Sequence, residues 1–248
     1  MTAGWQVEAA STGRIVIAPH LPERFALFYT TADFDGALDD ESIALLQETL
    51  RDRFRIEAAL ASCGQIHGVQ LVDAGFSSKW CEYSGCDALY TANGGMALGI
   101  KVADCLPVTL IDPLQSIMAN IHSGWRGTAG RIVPETVARL RKETGFDPSS
   151  ASAWLGPSIR SCCFEVGDEV AAQFVNEFDD AQRFIDRSRG ERPYLDLARL
   201  TSSLLTDLGF DGDRIHDSGL CTRCEGSIFH SYRRNGPRAG RNLAIVAR

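Results

Sequence analysis

Residues 96–123, MALGIKVADCLPVTLIDPLQSIMANIHS, decide the fold. Three short apolar runs follow one another, separated only by an Asp-Cys pair and by DPLQ. Each has the length of a strand, and each is almost continuously apolar, as a strand covered on both faces must be. DALYTA lies just upstream behind an Asn-Gly-Gly break, so residues 87–122 read as consecutive buried strands. Strands that follow one another without helices between them fit poorly with a simple alternation of strand and helix. They point to an α/β fold with a mixed or antiparallel sheet.

Outward from this segment the pattern changes. GRIVIAP and RFALFYTT read as two strands with His20 at the turn between them, and IEAALAS and HGVQLVDA as two more joined by QIHG. DDESIALLQETLRDRF has Ile43, Leu46, Leu50 and Phe54 at helical spacing, and its acidic start suits a helix N-terminus. TAGRIVPETVARLRKETG reads as a helix from about Thr128, with Ile132, Val133, Val137 and Leu140 on one face and Gly145 as its stop. ASAWLGPSI is a further strand, VGDEVAAQFVNEF and DLARLTSSLLTDLGF are amphipathic helices, and RNLAIVAR closes as a strand. Residues 179–193 are polar and read as a mobile surface loop. No repeat, low-complexity linker or composition break divides the chain, so residues 1–248 read as one domain.

Composition narrows the function. A formal net charge of −7 and the lack of a basic stripe argue against a nucleic-acid partner. No apolar run is long enough to span a membrane, and the N-terminus lacks the charged start and apolar core of a signal peptide. A cytoplasmic location is expected. The eight cysteines then read as thiols, metal ligands or reactive groups rather than a disulfide frame. Nothing marks a dimer seam, and the sequence leaves the oligomeric state open.

Three chemically able residues sit at ends of these buried strands: His67 in QIHG, Cys105 in ADCLPV and His122 in NIHSGWRG. Separations of 38 and 17 residues are too long for a zinc-finger clip but suit a site assembled from several strands. Two imidazoles and a thiolate make a catalytic zinc set with one coordination position left open. The same residues also permit a thiolate–imidazolium pair, or a buried thiol beside two turn histidines. Asp104 is adjacent to Cys105 and is expected to cap a turn rather than orient the histidine that meets the thiol. Arg126, beside a helix start, is a candidate anion site, with a surface salt bridge as its plainer reading. Glu165 precedes a helix and is either a pocket residue or a favourable charge at the helix start. CTRC, Cys221 to Cys224, has metal-clip spacing, but Cys162 and Cys163 are adjacent rather than spaced. A second zinc is therefore not expected, and a redox pair is the alternative. His20, His216 and His230 have no evident partners.

The ordered motifs QIHG, ADC-LPV, HSGWRGT, GPSI with CCFEVG, and CTRC with SYRRNG and GR resemble those of the YfiH-like laccase-domain family. The resemblance runs from about residue 60 to the C-terminus. It implies a compact layered α/β/β/α fold related to the catalytic domain of cytotoxic necrotizing factors. It also implies a metal held by His67, Cys105 and His122, zinc foremost and copper as the other occupant. The implied activity is a zinc-dependent purine nucleoside phosphorylase with adenosine deaminase and methylthioadenosine phosphorylase activity, with a purine nucleoside and phosphate as small-molecule partners. Gln65, Arg126, Glu165 and Arg233 are then the candidate substrate contacts. The alternatives are a cysteine hydrolase or amidase in peptidoglycan precursor editing, with Cys105 as nucleophile and His122 as base, and a copper polyphenol oxidase. Four-copper oxidases need many histidines, and this chain has five. After Thr31 the chain departs from the family pattern: it reads TTADFDGALDD where relatives carry a Gly-rich turn and a basic residue.

Overall fold

The computed structural model describes residues 4–248. In chain order the elements are β1 (Gln6–Ala10), β2 (Gly13–Ile17), β3 (Ala26–Thr30), α1 (Asp40–Phe54), β4 (Ala59–Gly64), β5 (Leu71–Asp73), β6 (Cys81–Ser84), β7 (Ala88–Thr91), β8 (Met96–Val102), β9 (Leu106–Asp112), β10 (Ile117–Ser123), α2 (Trp125–Ala129), α3 (Ile132–Thr144), β11 (Ser152–Leu155), α4 (Asp168–Glu177), β12 (Ile185–Asp186), β13 (Tyr194–Leu195), α5 (Leu197–Asp207), β14 (Ile215–Asp217), α6 (Tyr232–Asn235) and β15 (Asn242–Ala247). A seven-stranded sheet runs β1-β2-β3-β15-β8-β4-β6, and a six-stranded sheet runs β14-β11-β9-β10-β7-β5. Both are mixed: β4 lies parallel to β8 and β6, β5 to β7, and β11 to β14, while the remaining pairs in these sheets are antiparallel.

The continuous apolar runs have a direct cause, since every central strand is covered on both faces. Along β8, Met96, Leu98, Ile100 and Val102 enter the layer between the sheets, while Ala97 faces α1. On β9 and β10, Leu106, Val108, Leu110, Ile117, Ala119 and Ile121 face α3 and α5, whereas Ile111 and Met118 face the other sheet. Outside the seven-stranded sheet, Ile43, Leu46 and Leu50 of α1 pack on Phe28, Leu60, Leu243 and Ile245, and Phe54 stacks on Phe28 at 5.5 Å. The order is helix, sheet, sheet, helix, as the resemblance implies.

One polar side chain locks the two sheets. Asn120 on β10 is fully buried. Its Nδ2 donates to the carbonyls of Leu98 and Ala244 on the opposite sheet, both at 2.9 Å, and Thr109 donates to its Oδ1 at 3.1 Å. With its hydrogen bonds made, the amide fixes which residues of β10 face inward. Side chains alternate along a strand, so His122 faces inward as Asn120 does.

Several expectations need correction. The helix expected from Thr128 is two helices: α2 begins at Trp125, and the chain breaks at Arg131, whose φ of 66° is left-handed, before α3. The stop at Gly145 holds, with φ 74°. Residues 179–193 are not a plain loop. They contain a 3₁₀ turn, Ala181–Phe184, with Ala181 and Phe184 buried, and the strand β12. β1, β6, β14 and α6 had no clear sequence signal, being short or half exposed. No helix among the described residues is long and apolar enough to cross a membrane.

Candidate active site

The turn between β8 and β9 carries the chain from one sheet to the other, and Cys105 sits on that turn. β4 of the first sheet ends into QIHG and so delivers His67. β10 of the second delivers His122 from its inward face. The ligand atoms of His67, Cys105 and His122 all lie within 4.8 Å of one another. The two rings meet edge to face with centroids 4.9 Å apart. His122 is buried, Cys105 partly buried and His67 exposed, so the group opens to solvent on one side.

Asp87, the first residue after the Cys86 turn, holds this arrangement together and carries no motif of its own. It is fully buried. Its carboxylate accepts from the amides of Ile66, His67 and Gly68 at 3.2, 2.9 and 2.7 Å, and from His122 Nδ1 at 2.8 Å. Burial works to raise its pKa, but the His122 bond and the amides outweigh it and hold the carboxyl below its ordinary value. One carboxylate therefore shapes the His67 turn, where φ is 60°, and orients His122. With Nδ1 bound to Asp87, Nε2 of His122 is left for the site.

The glycines of HSGWRGTAG have a steric explanation. Gly124, Gly127 and Gly130 line the side of α2 that packs on the QIHG turn and Cys105. A Cβ on Gly124 would lie 2.9 Å from Cys105 Sγ, one on Gly127 3.1 Å from the Gly68 carbonyl, and one on Gly130 2.9 Å from Val69. Their backbone φ angles are not what demands glycine; close approach is.

With protein groups alone, burial disfavours the Cys105 thiolate. Hydrogen bonds from His122 and His67 overcome this and bring its pKa down to about 6. Burial likewise opposes the His122 imidazolium, yet Asp87 and Cys105 lift it to about 9. Two nitrogens and a thiol that ionises easily, with an orienting carboxylate behind one imidazole, fit a zinc ion with an open position. His67, Cys105 and His122 would hold it.

These residues form the floor of a cleft of about 860 Å³, a size suited to a small-molecule ligand. Trp125, Phe164 and Tyr232 give it aromatic walls, and Lys101, Arg126, Arg233 and Arg241 give it cationic ones. The exposed Arg126 guanidinium stacks over Trp125 at 4.2 Å. Arg233 donates to the carbonyls of Glu165 at 2.9 Å and Cys163 at 3.4 Å. Gln65 lines the cleft, but both ends of its amide bond the backbone of Lys101, each at 2.8 Å. Glu165 lies in an adjoining hollow of about 280 Å³ that shares Trp125, Phe164 and Arg233 with the cleft. It accepts from the Tyr194 hydroxyl at 3.2 Å. Asp104 does not orient a histidine; it accepts from the Thr222 hydroxyl and the Arg233 amide, both at 2.6 Å. The segment after Thr31 does not line the cleft. His20 and His216 meet each other as tilted rings with centroids 5.1 Å apart, and His216 also contacts Trp154, so neither reaches the site.

The sequence pattern of the family described as multi-copper polyphenol oxidoreductase laccase matches residues 29–248. The chain belongs to this laccase-domain family. Among its relatives, a purine nucleoside phosphorylase of Deinococcus radiodurans is 34% identical over 226 residues, covering 88% of this chain and 82% of that protein. An adenosine deaminase, RL5, from an unknown prokaryotic organism is 36% identical over 165 residues, or 66% of this chain. That match spans 63% of the deaminase's own length. Among solved structures, the hypothetical protein YfiH of Bacillus licheniformis superposes with a TM-score of 0.85 at 23% identity, covering 98% of both chains. YlmD of Geobacillus stearothermophilus gives 0.81 at 23% identity, covering 100% of this chain and 97% of that one. These two share the mixed α/β fold.

Proposed function

We propose that this laccase-domain protein is a metal-dependent purine nucleoside phosphorylase, with adenosine deaminase and methylthioadenosine phosphorylase activity at the same cleft. The observation that carries the reading is the convergence of His67, Cys105 and His122 on the floor of a cleft walled by aromatic and cationic side chains. The names of the curated relatives support the purine class. The metal in this reading is zinc, which when bound supplies a Lewis acid at the cleft floor. Trp125, Phe164 and Tyr232 offer flat apolar surfaces for a purine. Arg126 and Arg233 offer guanidinium groups for phosphate. In phosphorolysis a phosphate oxygen bonds the ribose anomeric carbon as the glycosidic C–N bond breaks, and the base leaves with the bonding electrons and gains a proton. Deamination instead puts water oxygen on C6 of adenine and releases ammonia. In both, Asp87 keeps His122 in place and the walls hold the nucleoside. The free thiols suit a reducing compartment, so the cytoplasm is the proposed location.

Incubation of the purified protein with adenosine tests this. Adenine plus ribose 1-phosphate, formed only with phosphate present, marks phosphorolysis, and inosine marks deamination. Methylthioadenosine is assayed the same way. Both activities should vanish in Cys105→Ala and His122→Ala. No turnover of any purine nucleoside would contradict the reading.

A second reading has one specific observation behind it. The depressed Cys105 pKa beside a raised His122 is what a thiolate nucleophile and its imidazolium partner require. A cysteine hydrolase of peptidoglycan precursors would be active without metal and inactivated by alkylation at Cys105. The copper-oxidase reading gains less, because the metal-binding groups among the described residues contain only His67 and His122 of the five histidines.

A further inference from the structure

A second group of ligands lies beside the cleft and plays no part in the chemistry proposed above. Cys162, Cys163, Cys221 and Cys224 bring their four sulfurs within 4.8 Å of one another. Cys162 lies 3.6 Å from Cys163 and 3.6 Å from Cys224, and Cys163 lies 3.4 Å from Cys224. All four are free thiols. A tetrahedron of thiolates around zinc, with Zn–S bonds of about 2.3 Å, has edges of about 3.8 Å. The three separations among Cys162, Cys163 and Cys224 lie slightly under that figure, Cys221 is within 4.8 Å of each, and all far exceed the roughly 2 Å of a disulfide.

Adjacency does not prevent the pair Cys162–Cys163 from serving one ion. The two sit on a turn closed by the amides of Cys163 and Phe164 on the Arg160 carbonyl, both at 2.8 Å. On a turn, neighbouring side chains need not point to opposite sides as they do on a strand. The CTRC segment is a turn as well. It is closed by the Glu225 amide on the Cys221 carbonyl at 2.9 Å.

We infer that Cys162, Cys163, Cys221 and Cys224 form a closed tetrathiolate zinc site, separate from the His67–Cys105–His122 group. Thiolate donors select zinc over magnesium or calcium. Four protein ligands leave no open position, so the ion is structural. Each thiol releases its proton to solvent on binding. The site staples two segments that build one wall of the cleft. The first, 156–166, carries Ile159 and Phe164; the second, 218–233, carries Tyr232 and Arg233. The backbone already pairs them, with the Ser158 amide on the Leu220 carbonyl at 3.2 Å and the Thr222 amide on the Ser158 carbonyl at 3.0 Å. The zinc closes the free side of that pairing.

The test is zinc content on protein purified under reducing conditions without chelator. Wild type should carry two zinc ions per chain. Cys105→Ala should carry one, and the double variant Cys162→Ser with Cys224→Ser, which alters only the two exposed thiols, should also carry one. X-ray absorption at the zinc edge of Cys105→Ala decides the matter even if the double variant fails to fold. Four sulfurs at about 2.3 Å are expected. A single wild-type zinc that disappears in Cys105→Ala overturns the inference. So does a nitrogen- or oxygen-containing shell in that variant, or a four-sulfur shell around iron or copper. This result is independent of nucleoside turnover, so either assignment can fail without the other.

Discussion

Asp87 is the residue on which the geometry of the candidate site turns. It satisfies three amides of the His67 turn and the Nδ1 of His122 with one carboxylate. Removing such an outer partner typically costs about 10–100-fold in metal affinity. Asp87→Asn should show that loss in a competition titration with a chromophoric chelator; an unchanged affinity would show that the turn and His122 hold their places without the charge. Asp87 carries no signal of its role before folding, because it reads as the opening residue of the apolar run DALYTA and only the fold brings QIHG onto it. His67, Cys105 and His122 were legible, since soft ligands at the ends of buried strands are few and their motifs match a family. Gly124→Ala should lower metal content while leaving far-UV circular dichroism unchanged, because its Cβ meets Cys105 Sγ at an ordinary extended backbone, φ −68°.

Proton chemistry at this scale also has a definite sign. With metal chelated, Cys105 should alkylate with iodoacetamide along a curve whose midpoint lies near pH 6, as its lowered pKa requires. A midpoint at pH 8–9, the ordinary thiol range, would mean that the histidines do not stabilise the thiolate. For stability the two partners oppose each other. The raised His122 contributes stability present below its unfolded pKa and lost as pH rises through about 9. The lowered Cys105 contributes stability present above its unfolded pKa and lost as pH falls through about 6. Between those limits the two pH slopes have opposite sign and offset each other.

At the level of elements, the fold depends on β10 keeping its register. Asn120 and His122 share the inward face, so a slip of one residue would turn both away from the layer between the sheets. Asn120→Ala removes the links to Leu98 and Ala244 and opens a small cavity. It should cost about 2–4 kcal/mol in urea unfolding, and a cost below 1 kcal/mol would mean that apolar packing alone fixes the register. The strands of residues 87–122 could be read from sequence because burial on both faces leaves little but apolar residues. The break between α2 and α3 could not, since apolar periodicity continues across it and the left-handed Arg131 carries no glycine signal. The sequence points away from the four-cysteine cluster for a related reason. Spacing rules assume ligands on a known local geometry, and the adjacent pair lies on a turn that sequence alone did not reveal.

For the whole molecule, two sheets meet at an edge where the β8–β9 crossover, the end of β4 and the end of β10 coincide, and the site occupies that edge. An ion bound there joins both sheets, so metal binding is coupled to folding. Chelation should lower the melting temperature, and added zinc should restore it in wild type but not in a variant lacking both ligand groups. A melting temperature indifferent to chelator would show that the sandwich needs no metal to hold its edge.

The central claim is that His67, Cys105 and His122 bind one metal ion. Anomalous diffraction at the zinc edge, on crystals of protein purified with zinc present, tests it most directly. The account predicts a peak about 2.0–2.3 Å from a ring nitrogen of His67, the sulfur of Cys105 and Nε2 of His122. Zinc-replete crystals with no anomalous peak among these three atoms would contradict it.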